Sequence, residues 1–213
     1  MMEIISRKGI IIKEVKVGEG NKIFTILTSE GTLSASARGV RSFKSKLSAG
    51  CNLFGFSDFE LKNGKSMYSV MSAESLESFY EIRKDVEKLA LAVYFSDLLC
   101  SYAPQGQESG GVLRLMLNTL FYLTEHDDHD RVKAVFELRL MAECGFLPDY
   151  DNMSGYTNSC IQAIKYITEC PMQKMFSFET DFPTLKQLCT FAEHNVLLHL
   201  GYRPRSLEYY LSL

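Results

Sequence analysis

Residues Lys8 to Arg38 read KGIIIKEVKVGEGNKIFTILTSEGTLSASAR, and the way this stretch breaks decides the fold. Three runs, Lys8–Val17, Lys22–Thr28 and Thr32–Arg38, are rich in β-branched residues or alternate in period two, and short Gly-bearing turns part them. Two further runs follow, Leu53–Leu61 (LFGFSDFEL) and Ser66–Ser72 (SMYSVMS), with Asn63-Gly64 between them as a hairpin signal. Five short strands in so little chain predict a small closed barrel rather than an open sheet, because closure leaves no unpaired edge.

Beyond Ser75 the period changes. Leu76, Phe79, Ile82, Val86, Leu89, Val93 and Leu98 recur at helical spacing as far as the break at Ala103-Pro104. A second helix is expected over Ser109–Glu125 and a third over Arg131–Cys144, the latter stopped by Gly145 with Pro148 beyond it. Later helices are expected at 160–168, 183–199 and 204–212, with Pro204 in a first helical position. The reading is therefore α+β, with a five-stranded barrel over about residues 1–75 and an all-helical domain over 76–213.

Composition sets bounds on function. No run approaches the length of apolar chain that a membrane span needs, and the N-terminus lacks the pattern of a signal peptide, so a cytoplasmic protein is expected. The six cysteines never form CxxC and sit in apolar surroundings, as buried thiols do in a reducing compartment. Charge is unevenly shared: residues 1–75 carry 11 Lys/Arg against 7 Asp/Glu, whereas 76–213 carry 12 against 19. Two surfaces with different partners follow from that asymmetry.

Catalytic patterns are missing. No GxSxG, GxxxxGK[ST] or HExxH occurs. HDDHD (126–130) offers His126 and His129 beside three aspartates, but the spacing matches no hydrolase signature and suits a polar interhelical loop. His194 and His199, five residues apart, do not share a helical face. Neither an enzyme nor a cofactor is expected.

The segment Ala37–Leu47, ARGVRSFKSKL, is different. Arg38, Arg41, Lys44 and Lys46 fall within nine residues, with no acidic residue between Glu30 and Asp58. Charge runs are often only solvated loops, yet this one lies inside the predicted barrel, Gly39 allows close backbone approach, and Phe43 offers a stacking face among the cations. Small barrels hold single strands by combining a basic groove with aromatic platforms.

In this order the segments resemble the recombination-repair mediator family RecO. The carrying residues are Glu19, the turn Thr28 to Gly31, the basic Ala37–Ser45, and Leu53 with Phe56; farther on they are FELRLMAECGFLPD (136–149) and HLGYRPRSLEYY (199–210). The resemblance implies an OB-fold barrel followed by a helical domain. It also implies a non-enzymatic mediator that binds single-stranded DNA (or duplex DNA), anneals complementary strands, and works with RecR. Such a mediator helps load RecA onto strands coated by single-stranded-DNA-binding protein. The expected DNA-contacting set is Lys22, Arg38, Arg41, Phe43, Lys44 and Lys46. Docking of the coating protein's acidic, aromatic-ended tail is expected on the third helix, where Arg131, Lys133 and Arg139 would form a cationic rim beside Phe136, Leu138 and Leu140.

One departure stands out. Many family members hold zinc with CxxCG and a later CxxC just past the turn that here spans Gly145 to Pro148. Matching Gly155 to that motif's glycine puts Asp151 and Ser154 where cysteines would stand, and Cys160 and Cys170 form no second pair. A zinc-less, degenerate segment near 149–182 is therefore expected. The rival readings are an OB-fold protein-interaction module whose basic segment answers an acidic partner, and, more distantly, a hydrolase on the helical half.

Overall fold

The computed structural model describes residues 4–102, 109–146 and 153–213. Five strands, β1 (Ile4–Val17), β2 (Asn21–Thr28), β3 (Gly31–Ala37), β4 (Phe56–Lys62) and β5 (Tyr68–Glu77), close a barrel in the order β1-β2-β3-β5-β4. All pairings are antiparallel except β3 with β5, where Ala35 faces Tyr68 and Ser36 faces Ser69. The expected α+β class, with an OB-type barrel and a helical region after it, is what the chain adopts.

Closure depends on β1 serving two neighbours. Its residues Ile4–Ile10 pair with β4 and Gly9–Val17 with β2, and the register slips between Ile11 and Lys13. That bulge bends one long strand around the barrel. Phe24, Ile26, Ala35, Phe59 and Leu61 fill the interior at or near zero exposure. Small alanines opposite large aromatics suit the tight bore of a five-stranded barrel.

Several boundaries differ from the sequence reading: β1 begins at Ile4 rather than Lys8, β5 runs over Tyr68–Glu77 rather than Ser66–Ser72, and Pro204 is the N-cap of the last helix, Arg205–Tyr210, rather than its first residue. Two further differences have a visible cause. The fourth strand starts at Phe56, not Leu53, because Phe54 takes a left-handed φ of 64° inside a turn in which the Gly55 N–H donates to the Asn52 carbonyl at 2.8 Å. The first helix starts at Val86, not near Leu76, because Ser75 and Glu77 still pair with Ser57 and Phe56 in the sheet. Ladder hydrogen bonds override a helical spacing of apolar residues wherever a partner strand is waiting.

The chain divides into two compact units. One comprises Met1–Tyr80 with Leu98–Leu113, so it takes in chain beyond the boundary at residue 75; the other comprises Glu81–Asp97 and Arg114–Leu213. The helices are α1 (Val86–Tyr102), α2 (Gly110–Glu125), α3 (His129–Glu143), α4 (Asn158–Glu169), α5 (Phe182–Leu200) and α6 (Arg205–Tyr210). Within the second unit α3 is the central element: every residue from Val132 to Met141 is buried, charged ones included. Its neighbours α4 and α5 begin at side-chain caps, Thr157 accepting the Cys160 N–H and Asp181 the Thr184 N–H.

Candidate nucleic-acid interface

The connection from β3 to β4 carries the basic segment. It is a run of pinned turns rather than a free loop. Val40 is buried and Leu47 packs on the barrel core, so two apolar residues anchor it from below. The turn between β1 and β2 holds it from the side. There the Gly39 N–H donates to Asn21 Oδ1 (2.9 Å), the Arg41 N–H to the Gly20 carbonyl (3.1 Å), and Arg41 Nη1 to the Gly18 carbonyl (3.2 Å). Gly39 sits at φ 64°, a left-handed conformation that a Cβ would strain. Further bonds, Ser45 N–H to the Ser42 carbonyl and Ser48 Oγ to the Ser45 carbonyl, tighten the next turns.

With the backbone fixed, the cations project. Arg38, Arg41, Lys44 and Lys46 are exposed, and Phe43 is fully so, at 103% of its reference surface. Among the described residues none of these four cations forms an ion pair. A guanidinium has five donors, so the single bond from Arg41 to Gly18 leaves most of its fork available. The arrangement can neutralise phosphates without covalent chemistry and stack one base on Phe43.

The structure corrects the place of Lys22. Lys22 shares the inward parity of Phe24 and lies 6.0 Å from that ring's centroid, with its ammonium bonded to Glu14 at 2.8 Å. At 16% side-chain exposure it neutralises an acid at the barrel end and is withdrawn from the outward set. Two cations that the sequence reading passed over lie beside Arg38. Lys62 and Lys65, from the β4–β5 hairpin, line one concavity of about 650 Å³ together with Arg38. The available signal was the KNGK turn itself, but only the parallel β3–β5 pairing carries it to the end of β3.

The expected rim on α3 does not form. Lys133 is 4% exposed and bonds Glu137 at 2.9 Å and Glu193 at 2.8 Å; Glu137, wholly buried, also accepts the Tyr94 hydroxyl at 2.6 Å. Burial works against the Lys133 charge, yet the two glutamates hold its pKa above the ordinary lysine value. Arg139 donates to the carbonyls of Ile167, Thr168 and Cys170, closing the C-terminal end of α4. Arg131 pairs with Asp128, donates to the Phe178 carbonyl and lies over the Phe178 ring. Lys133 and Arg139 are internal braces, because the middle of α3 is surrounded and its charges must find partners inside; Arg131, half-buried at the start of the helix, is taken up by Asp128 and Phe178.

HDDHD is likewise taken apart by individual partners. Asp127 pairs with Lys88, His129 with Glu87, Asp128 with Arg131, and His126 stacks on Tyr122 at 3.9 Å. Burial pushes the Cys51 thiol to about 12 against the pull of Lys22, and burial with Asp130 pushes Cys189 to about 12, so neither is poised as a nucleophile.

The zinc of the wider family does not fit the residues described. Cys160 lies in the first turn of α4 and Cys170 just past its last, so ten residues of helix separate them by roughly 15 Å. One tetrahedral ion cannot bind both. Ser154 is exposed, and Asp151 lies outside the described residues. Elemental analysis of protein purified without added metal is expected to find well under one zinc per chain, with no change in the melting curve on chelation; stoichiometric zinc would overturn this.

Comparison with known proteins agrees with this geometry. The family described as "Recombination protein O N terminal" matches residues 2–79, and "Recombination protein O C terminal" matches residues 83–156. A protein named DNA repair protein RecO from Acetivibrio thermocellus is 34% identical over 88% of each chain. Proteins of the same name from Caldicellulosiruptor bescii and Alkaliphilus metalliredigens are 35% and 32% identical, over 68% and 74% of this chain. Those two alignments span 60% and 62% of the relatives' own lengths.

Proposed function

The chain belongs to the RecO family, and on that premise we propose that it is a recombination mediator in DNA repair. It binds single-stranded DNA through the barrel, anneals complementary strands and, with RecR, helps load RecA onto strands coated by single-stranded-DNA-binding protein. It is not an enzyme and acts in the cytoplasm; no described helix is long and apolar enough to cross a membrane. The observation that carries the reading is the pinned turn series from Arg38 to Lys46, which holds four exposed cations, without acidic partners among the described residues, on an OB-type barrel.

Annealing needs no bond made or broken. A cationic surface lowers the repulsion between two phosphate backbones and leaves the bases free to pair. The tail of the coating protein would dock on the helical unit at a place other than α3, since the cations of α3 are spent internally.

A salt titration of binding to single-stranded and duplex oligonucleotides of arbitrary sequence tests the reading. Binding is expected to weaken linearly on a log–log plot and to be indifferent to sequence. Salt-independent binding, or none, would instead favour a barrel that serves an acidic protein partner.

A further inference from the structure

The concavity beside Arg38 has a composition unlike that of the basic turns. Its walls are Arg38 at the end of β3, Lys62 at the end of β4 and Lys65 in the β4–β5 turn; Ser69, Val70 and Met71 of β5 lie between them. The sheet register sets this order. Lys62 faces Ser69 across β4–β5, and Ser69 faces Ser36 across β5–β3. Arg38 and Lys65 are exposed, Lys62 is half-buried, and none of the three has an ion-pair partner among the described residues. The exposed acid on the same strand, Glu60, accepts the Ser72 hydroxyl at 2.7 Å and does not line the concavity. The hairpin that presents Lys65 is tightly built: a Cβ on Gly64 would stand 2.3 Å from the Met67 carbonyl oxygen.

No aromatic ring among the described residues lines this place. It offers three unneutralised cations, small hydroxyls and one exposed aliphatic thioether, Met71, at 51% of its reference surface. Stacking on a base calls for a flat π-face, whereas cations and hydroxyls suit phosphate and sugar. Resting on the reading of the barrel as a DNA-binding module, we propose that Arg38, Lys62 and Lys65 form a seat for the sugar–phosphate backbone of a single strand that reads no base. Arg38 joins this seat to the basic turns, so the strand continues from Arg41 and Lys44 along the outside of β3, β5 and β4. Over this seat, beyond the base stacked on Phe43, the bases face away from the protein, which is the posture a complementary strand requires.

The test compares Lys62→Ala/Lys65→Ala with wild type on an oligothymidylate and on an abasic deoxyribose-phosphate oligomer of equal length. Each lost phosphate contact flattens the slope of log affinity against log salt by about 0.7 on a single strand. The double variant is therefore expected to lose about 1.4 from the slope. The salt-dependent loss of affinity between 50 and 200 mM then falls by roughly sevenfold, equally on both oligomers. Lys65→Ala alone, in an exposed turn, is expected to show about half the slope change and guards against a folding defect at Lys62. An unchanged slope in both variants while wild type binds, or a loss confined to the base-bearing strand, overturns the backbone seat and leaves the DNA-binding reading standing. Failure of wild type to bind either oligomer overturns both.

Discussion

Lys133→Ala is expected to destabilise the helical unit by about 3–5 kcal/mol, read from the denaturant midpoint of the full chain at pH 8. The reason lies in what is left behind. Glu137 is wholly buried, and without the ammonium at 2.9 Å its carboxylate keeps only the Tyr94 hydroxyl at 2.6 Å. Its second oxygen has no hydrogen-bond partner among the described residues even in the intact protein. Glu193 is less affected, being partly exposed and bonded to Arg203 at 2.7 Å. Adding Glu137→Gln to Lys133→Ala is therefore expected to recover much of the loss, since it removes the orphaned charge and keeps an acceptor for Tyr94.

The pH dependence has a definite sign. Burial already lifts the Glu137 carboxyl above the usual carboxylate range, against the pull of Lys133 and the Tyr94 hydroxyl. Deleting Lys133 lifts it further, so the folded variant binds a proton that the unfolded chain releases. The stability gap to wild type should then narrow as pH falls toward the carboxylate range and widen as it rises. A cost below about 1 kcal/mol, or a gap that does not change with pH, would show that the carboxylate is not confined as described.

Arg41→Ala/Lys44→Ala/Lys46→Ala is expected to flatten the salt slope of single-strand binding by about 2.1. That corresponds to roughly a twentyfold smaller change in affinity between 50 and 200 mM salt, alike for every sequence. Folding should survive: the three side chains are exposed, and the turns are anchored by Val40, Leu47 and the backbone bonds to Asn21 and Gly20. Phe43→Ala separates stacking from charge. It should weaken binding to base-bearing strands by about 1–3 kcal/mol and leave the salt slope near that of wild type. Should the triple variant retain both affinity and slope, the segment is a solvated connection and the interface lies elsewhere on the barrel.

The barrel was legible because strand signals are local: β-branched runs, period-two alternation and Gly-bearing turns between Lys8 and Ala37 sit where β1, β2 and β3 form. The basic turns were legible for a related reason. A cation with no acid near it in sequence, placed between strands, has little choice but to face solvent, and Arg38, Arg41, Lys44 and Lys46 do so. Membership of the RecO family was also readable from the order of these segments.

What sequence could not supply was the identity of each neighbour. Lys22 looked like another surface cation, but closing the barrel turned it inward against Glu14. Lys62 and Lys65 looked like turn residues, but the parallel pairing of β3 with β5, joining chain more than 30 residues apart, set them beside Arg38. Arg131, Lys133 and Arg139 looked like the rim of a partner site, but Lys133 and Arg139 lie in the enclosed middle of the helix, Val132–Met141, where charges must find partners inside, and half-buried Arg131 is taken up by Asp128 and Phe178. Periodicity and turn chemistry report what a residue prefers locally, and that determined the elements and the exposed turns. Which charges pair and which remain free depends on surfaces brought together from distant parts of the chain, and only the tertiary structure decides that.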